Sequence, residues 1–332
     1  LATAKDFPRE REWDEWEKLL LGFAGEAQRA APAPAPAPFI MDVARGGDTA
    51  SGSLPTFQLK LPPVGRVGDL TVARAALQRG EHFAAWIETM MALEARPFHP
   101  EAWLLLAETA QAAGDVAMAR ECAARARQLV PHWRAAKRFH KALPSRGRVS
   151  NVRWPALPAK AGQPRLTIFV IAKNEEKFLG QCLDSVRGLA DQLIVVDTGS
   201  TDSTVEIAKM RGAEVYSHPW EDDFSAARNA ALAHAAGDWV MFLDADEELP
   251  ACEHAKLRAD MASADVLAVR LRLQNVGQEE DGQCYVPRLW RNAPGLFFYG
   301  RVHEQVFPSI LVKCEAWGME TRLGTATLRH HG

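Results

Sequence analysis

The sequence lacks three features that would place it in a special class of protein. It has five cysteines and no Cys-x-x-Cys pair, so neither a disulfide framework nor a zinc knuckle is expected. No apolar run approaches the ~20 residues of a membrane-spanning helix, and no basic-then-apolar leader begins the sequence. The net charge is only −3, which argues against nucleic-acid binding. These absences predict a cytoplasmic protein with reduced thiols, no transmembrane segment and no nucleic-acid partner.

Two segments at the start of the sequence predict docking and connecting elements. Residues 1–30 predict an amphipathic helix, because large apolar side chains recur at helical spacing among charged ones. The apolar positions are Trp13, Trp16, Leu19, Leu20 and Phe23. We expect this helix to pack on a neighbouring domain or subunit, with a membrane surface as the alternative. Residues 31–65 begin with alternating alanine and proline, which predicts an extended spacer followed by a loop.

Residues 66–150 contain an internal repeat, in which small residues and proline recur at one constant spacing. The recurring pairs are Gly80 and Gly114, Ala85 and Ala119, Ala92 and Ala126, and Pro97 and Pro131. This spacing is that of the tetratricopeptide repeat, a pair of packed helices. Because two repeats cannot bury a core alone, we expect them to pack on the following domain, on residues 6–30 or on further repeats. The repeats also predict a protein partner or a dimer.

The stretch from Arg120 to Arg153 is strongly basic, and Glu121 is almost its only acidic residue. Two interpretations stay open. The stretch is either a solvated helix face and linker, or a patch for an acidic partner, an anionic acceptor or a membrane surface. A membrane patch would make the cytoplasmic protein peripheral at a membrane.

Residues 165–332 alternate apolar strands with helical segments, which predicts βαβ units and a mostly parallel sheet. The predicted strands are 166–171, 192–196, 214–216 and 239–243, with a further strand from 327, and the predicted helices are 176–189, 203–211 and 224–236. In such sheets, ligands bind at the carboxyl ends of the strands. Three polar motifs follow three of the strands. They are Lys173-Asn174-Glu175, Asp197-Thr-Gly-Ser-Thr-Asp202 and Asp244-Ala245-Asp246.

These motifs, in this order, resemble those of a family-2 glycosyltransferase of the GT-A fold. The similarity is strongest to the branch that includes bacterial glycosyltransferases fused to tetratricopeptide repeats and the peptide S-glycosyltransferases. It covers about residues 165–332, and it implies an α/β GT-A domain behind an all-α tetratricopeptide-like module. The resemblance implies an inverting enzyme that moves a hexosyl or N-acetylhexosaminyl group. The donor is expected to be a nucleoside-diphosphate sugar, with UDP as the nucleotide, and the acceptor a protein, peptide or glycan.

The acidic turn after the fourth strand predicts a divalent metal site. A cation that bridges both phosphates of a nucleotide sugar stabilises the leaving diphosphate as a Lewis acid, and Mn²⁺ or Mg²⁺ accepts hard oxygen ligands. We expect Asp246 to bind the metal, and Asp244 to reach the ribose or a metal-bound water. The resemblance adds a late histidine to the metal shell, for which His331 is favoured over His330. The alternative for the two aspartates is a helix cap and a solvated turn.

The resemblance also implies the donor-binding residues. Asp197 is expected to accept a hydrogen bond from the uracil N3–H, and Arg228 to lie near the diphosphate or the nucleoside. The predicted set is Ala172, Asn174, Glu175, Asp197, Gly199, Ser200, Arg228, Asp244 and Ala245. The alternatives are an ordinary capped turn for residues 197–202 and a surface salt bridge for Arg228.

An inverting transfer needs a general base within reach of the acceptor nucleophile. The resemblance assigns this role to Glu304, with His303 beside it as the second predicted catalytic residue. An ion pair of Glu304 with Arg301 or Arg288 is the structural alternative, and Glu247 is the other candidate base. One different function stays open as well, in which the repeats form a scaffold and the α/β domain binds nucleotide without catalysis.

Overall fold

A computed structural model describes residues 61–145, 152–159, 162–277 and 284–331. Within it, Pro62–Gly332 forms one compact unit. The predicted N-terminal helix and nearly all of the predicted Ala/Pro spacer lie outside the described residues, as do the basic residues 146–151. These predictions therefore stay predictions.

The described residues before position 145 form five consecutive α-helices, each packed on the next. They are α1 (Thr71–Gln78), α2 (His82–Ala95), α3 (Pro100–Ala112), α4 (Val116–Leu129) and α5 (Arg134–Ala142). Helices α2 and α4 have the same length, and each begins two residues after the glycine of its repeat, Gly80 or Gly114. The tetratricopeptide-like period that the sequence predicts is therefore present in the structure.

Turn chemistry determines where these helices begin. Gly80 and Gly114 have φ values of 77° and 80°, a left-handed conformation that glycine adopts without steric penalty. Asp115 follows the second glycine and caps α4, because its carboxylate accepts a hydrogen bond from the Met118 N–H at 3.1 Å. The side chain of Trp86 then fills the space between the helices and is completely buried.

The rest of the unit is built on a sheet in which the described residues supply eight strands. They are β1 (Leu166–Ala172), β2 (Gln192–Asp197), β3 (Glu214–Ser217), β4 (Trp239–Leu243), β5 (Glu247–Glu248), β6 (Val266–Asn275), β7 (Cys284–Arg291) and β8 (Glu320–His330). Their order across the sheet is β3-β2-β1-β4-β7-β6-β8-β5. The first four strands are parallel, as predicted. Strand β7 runs antiparallel to β4 and β6, which makes the second half of this α/β sheet mixed.

Five α-helices accompany the strands in the described residues. They are α6 (Leu179–Ser185), α7 (Thr204–Met210), α8 (Phe224–Ala233), α9 (His254–Met261) and α10 (Phe307–Trp317). Helix α6 covers only the middle of the predicted helix 176–189. The chain turns before it, where Phe178 and Leu179 both donate to the Glu175 carbonyl, and again after it, at Gly188 with φ 77°. None of the described helices has the length and apolar character needed to cross a bilayer.

The strand register brings the three polar motifs to one edge of the sheet. Ala172, the last residue of β1, pairs with Asp197, the last residue of β2. On the other side of β1, Val170 pairs with Leu243, the last residue of β4. The loops that carry the predicted donor and metal residues therefore leave three neighbouring strands in the same direction.

The helical repeats pack directly on the sheet, which is one of the three arrangements expected for them. The Phe98 N–H donates to the Asn292 carbonyl at 3.2 Å, and the Arg291 guanidinium lies 4.6 Å from the centre of the Phe98 ring. Glu101 accepts a hydrogen bond from the Trp317 indole N–H at 3.0 Å. These contacts join repeat residues to β7 and α10 through buried aromatic rings, so the helices and the sheet share a core.

Candidate active site

Hydrogen bonds tie the loop after β1 to the loop after β2. Asn174 has a left-handed backbone with φ 58°, which asparagine tolerates better than most residues. In this conformation its Oδ1 accepts from the Thr201 N–H at 2.8 Å, and its own N–H donates to Ser200 Oγ at 2.9 Å. The Glu175 N–H donates to Thr204 Oγ1 at 2.7 Å. Three predicted donor-site residues, Asn174, Glu175 and Ser200, therefore belong to one connected pair of loops.

The Asp197 carboxylate stabilises its own turn. Its Oδ2 accepts from the Gly199 N–H at 3.2 Å, and its Oδ1 accepts from the Ser200 N–H at 3.1 Å. Gly199 has φ 107°, a conformation that only glycine adopts without strain. Asp197 and its neighbour Ala172 are both buried. The capped turn that the sequence analysis kept as an alternative is therefore present, and the contact of Asp197 with uracil stays a prediction.

The Asp244 carboxylate lies between two arginines from different parts of the fold. Arg288 on β7 donates Nη2 to Oδ2 at 2.7 Å, and Arg228 on α8 donates Nη2 to Oδ1 at 2.8 Å. Burial alone would raise the pKa of Asp244, but the charges of Arg288 and Arg228 outweigh burial and hold that pKa below its ordinary value. The side chain keeps 36% of its surface exposed. Asp244 is therefore a fixed anion with one side open to a ligand.

Arg228 is a buried cation that connects two acidic residues. Only 6% of its side chain is exposed, so the surface salt bridge considered above is wrong. Its Nε donates to Glu304 Oε1 at 2.6 Å, while its Nη2 donates to Asp244. The guanidinium stacks 4.1 Å from the centre of the Phe242 ring, a favourable cation–π contact. Arg228 thus places the predicted base and the acidic turn at a fixed separation.

Glu304 pairs with Arg228, and with neither Arg301 nor Arg288. Its second oxygen, Oε2, makes no hydrogen bond with any residue in the described ranges, and 14% of the side chain is exposed. His303 adjoins it with φ 58° and an exposed side chain. A bridge between Tyr299 and Gln305 closes the loop that carries both predicted catalytic residues. One carboxylate oxygen of Glu304 is therefore bonded to Arg228, and the other remains able to accept a hydrogen bond.

Glu247 is inaccessible to an acceptor, which removes it as a candidate base. Its side chain is 1% exposed, its Oε1 accepts from Arg288 Nη2 at 2.5 Å, and its Oε2 accepts from the Asp244 N–H at 3.0 Å. Burial raises the pKa of the Glu247 carboxyl. Arg288, which the sequence suggested only as an ion-pair partner for Glu304, instead pairs with Asp244 and Glu247. Its signal in the sequence was an arginine in the strand-like run Val286-Pro-Arg-Leu-Trp290.

We expect Arg288→Met to lower the free energy of unfolding by about 3–5 kcal/mol, because it leaves the buried Glu247 without a cationic partner and removes one of the two arginines that hold Asp244. Urea unfolding at neutral pH measures this cost. Arg291→Met is the matched control on the same strand, since the Arg291 guanidinium donates to the Val266 and Ser263 carbonyls and to no carboxylate of the described residues. Arg291→Met should lower the free energy of unfolding by less, about 1–3 kcal/mol. A loss for Arg288→Met no larger than the control would show that the two carboxylates do not depend on Arg288.

The structure brings His330, and not His331, to the predicted metal ligand. His330 Nε2 lies 3.2 Å from Asp246 Oδ2, whereas His331 Nε2 lies 3.2 Å from Glu248 Oε2. The predicted metal role of His331 therefore stays a prediction. Only the His331 backbone reaches Asp246, because the His331 N–H donates to the Asp246 carbonyl. Ala245, between the two aspartates, is buried. Across the described ranges, no cluster of three or more metal-binding side chains is present.

Negative charge accumulates around the acidic turn. Burial, together with the charges of Asp246 and Asp202, raises the pKa of Glu175. Burial also raises the pKa of the Cys182 thiol well above its ordinary value, and the neighbouring carboxylates of Glu247 and Asp244 add to that shift. Such a concentration of carboxylates attracts cations. The fold and this site define an α/β protein with an acidic ligand site at the carboxyl edge of its sheet.

This domain resembles a known family in sequence. Residues 167–316 match the model of the family described as Glycosyl transferase family 2. The matched stretch begins in β1 and ends in α10, so it includes most of the site described above. The matched stretch, which is less than half of the chain, is therefore similar to family-2 glycosyltransferases and follows the helical repeats.

Two curated relatives have names that agree with this architecture. A TPR repeat-containing protein of Synechococcus elongatus is 37% identical over 175 residues, which are 52% of this chain and 43% of that protein. The glycosyltransferase SunS, derived from the SPbeta prophage of Bacillus subtilis, is 31% identical over 150 residues, which are 44% of this chain and 36% of SunS. The chain thus spans less than half the length of these relatives.

The similarity to solved structures is weaker. A glucosyl-3-phosphoglycerate synthase from Mycobacterium tuberculosis, solved with Mn²⁺, uridine diphosphate and glucosyl-3-phosphoglycerate, is 21% identical to this chain. The match covers 51% of this chain and 72% of that chain, with a TM-score of 0.39. A similarity at this level supports no conclusion about the ligands of this chain.

Proposed function

We propose that this chain is an inverting glycosyltransferase that transfers a sugar from a UDP-sugar to a protein, peptide or glycan, assisted by Mn²⁺ or Mg²⁺. The observation that carries the proposal is the joining of the Asp244–Asp246 turn to Glu304 through Arg228. The family-2 match over these residues supports it. Side chains with chemistry suited to the cation, to the leaving group and to the acceptor would therefore lie at one edge of the sheet.

For the metal, we assign Asp246 and His330. Two adjacent ligands of an octahedral cation, each at about 2.1 Å, stand ~3 Å apart, and the two side chains are separated by 3.2 Å. A carboxylate oxygen and an imidazole nitrogen form a donor set that suits Mn²⁺. When bound, the cation would offset the negative charge of the departing diphosphate. Asp244, held by two arginines, is assigned to the ribose or to a metal-bound water.

For the donor nucleoside, we assign the connected loops after β1 and β2. Asp197 and Ala172 form the floor of this region, since they end adjacent strands and are buried. Glu175 and Asn174 lie on the loop beside them, which hydrogen bonds hold in place. A site fixed before the ligand arrives loses little entropy on binding.

For the acceptor, we assign Glu304 as the general base. Arg228 holds one carboxylate oxygen at 2.6 Å, which orients the other toward a substrate. A base must lie within hydrogen-bond reach of the proton that it removes, and a positioned carboxylate meets this requirement. His303 remains a neighbour of this base, on the exposed side of the loop.

A thermal-shift comparison of nucleotides tests the donor class. A ligand at ~100 times its Kd stabilises the fold by about 2.7 kcal/mol, so UDP with Mn²⁺ should raise the midpoint by several degrees. GDP, TDP and CMP should raise it less. If no nucleotide changes the midpoint with or without Mn²⁺, the proposed nucleotide-sugar donor is wrong.

A further inference from the structure

Helix α5 presents a stripe of positive charge that folding does not require. The stripe consists of Arg134, Lys137, Arg138 and Lys141, all exposed or half-exposed. Residues at positions i, i+3, i+4 and i+7 lie along one side of a helix. The other side contacts the core of the repeats, where Ala136 is completely buried and Phe139 is partly buried. Like charges three and four residues apart repel each other, so the stripe weakens the helix that carries it.

No acidic side chain of the described residues neutralises this stripe. Its four side chains form no ion pair or hydrogen bond within the described ranges. Glu121, the nearest acid in the sequence, pairs with Arg125 at 4.0 Å. Arg127 of α4 adds a fifth cation, because its Nη1 lies 3.1 Å from Nδ1 of His140 on α5. Burial, together with the charges of Arg127 and Arg120, lowers the pKa of His140. The surface therefore has an uncompensated positive potential.

The stripe also lacks the apolar anchors of other binding surfaces. Among the described residues, none of the large apolar side chains that are exposed lies between Met91 and Val152. Protein interfaces are centred on buried aromatic or apolar anchors, and sites for single-stranded nucleic acid use aromatic rings as stacking platforms. Exposed lysine and arginine without such anchors suit a partner with many negative charges and no fixed geometry. The anionic leaflet of a bilayer is such a partner.

We infer that the α5 stripe, with Arg127, is a peripheral binding site for membranes that contain anionic phospholipids. The attraction is electrostatic, so it grows with the anionic lipid fraction and falls as salt shortens the Debye length. Each cation near an anionic leaflet strengthens association by ~5-fold. The stripe contains none of the residues assigned to the proposed transfer, so the inference does not depend on the proposed reaction.

Sedimentation of the full chain with vesicles tests this inference. We compare phosphatidylcholine vesicles with vesicles containing about a third phosphatidylglycerol, at low and at physiological salt. The wild type should bind the anionic vesicles at least ~10-fold more tightly than the neutral ones. The quadruple variant Arg134→Gln, Lys137→Gln, Arg138→Gln and Lys141→Gln should lose at least ~30-fold of that affinity.

A second quadruple variant with the same change in net charge is the control. It carries Arg79→Gln, Arg187→Gln, Lys209→Gln and Arg322→Gln, all at exposed positions, and it should lose less than ~3-fold. Equal losses in the two variants would mean that net charge alone drives binding. Equal binding of the wild type to neutral and anionic vesicles would make the stripe a solvated face. Tight capture by polyglutamate or duplex DNA without vesicle binding would assign the stripe to another macromolecule. Each of these three results overturns the inference.

Discussion

Asp246→Asn should lower the rate of UDP release from a UDP-sugar by about 1000-fold, because a Lewis-acid contact worth several kcal/mol is lost. The amide keeps the shape of the carboxylate but is a far poorer ligand for a divalent cation. Asn has nearly the same volume as Asp, and the hydrogen bond from the His331 N–H to the carbonyl of residue 246 is unchanged, so the fold should persist. Slow hydrolysis of the donor provides an assay that needs no knowledge of the acceptor.

Asp265→Asn is the control for this variant. Asp265 pairs with Arg322 on an exposed surface, and both side chains are more than 40% accessible. It should keep the wild-type rate, since exposed ion pairs contribute little. Full metal-dependent turnover by Asp246→Asn, with circular dichroism unchanged, would remove Asp246 from the metal site.

Glu304→Gln should lower the rate of sugar transfer by about 100-fold or more, the range expected for loss of a general base. Donor affinity should change by less than ~3-fold, because the amide oxygen still accepts from Arg228 and the loop stays in place. Single-turnover transfer to water or a test peptide measures the rate, and titration with UDP measures binding. The separation of rate from affinity is the signature of a group that acts on the acceptor.

Glu214→Gln is the matched exchange outside the site, since Glu214 bonds to Gln192 and Tyr216 at the far edge of the sheet. It should leave both rate and affinity unchanged. If UDP binding collapsed in Glu304→Gln while Glu214→Gln was normal, Glu304 would be a donor-site or structural residue.

Local patterns were enough to predict the first half of the sheet and the repeats. Apolar runs at 166–171 and 239–243 became β1 and β4 within one residue, because buried parallel strands need a continuous apolar sequence. The period of the repeat reappears in the bounds of α2 and α4. The three polar motifs meet at one edge because parallel strands end in the same direction.

The site contacts that the sequence could not predict depend on pairing between strands that are far apart in the chain. The choice between His330 and His331 depends on the register of β8 with β5, in which Glu247 pairs with His330. A shift of one residue along a strand turns a side chain to the other face. The role of Arg288 depends on the antiparallel pairing of β7 with β4, which no local pattern indicates. That pairing places its guanidinium 4.0 Å from the Phe242 ring, beside Asp244.

Metal-assisted transfer is tested by the electron paramagnetic resonance signal of Mn²⁺ titrated into the protein with and without UDP. We expect about one tightly bound Mn²⁺ per chain when UDP is present and much weaker binding without UDP, since carboxylate and diphosphate oxygens together hold the cation. Asp246→Asn should lose the site. Binding of UDP that is indifferent to Mn²⁺, with no bound cation in the wild type, would contradict a metal-assisted transfer at this edge of the sheet.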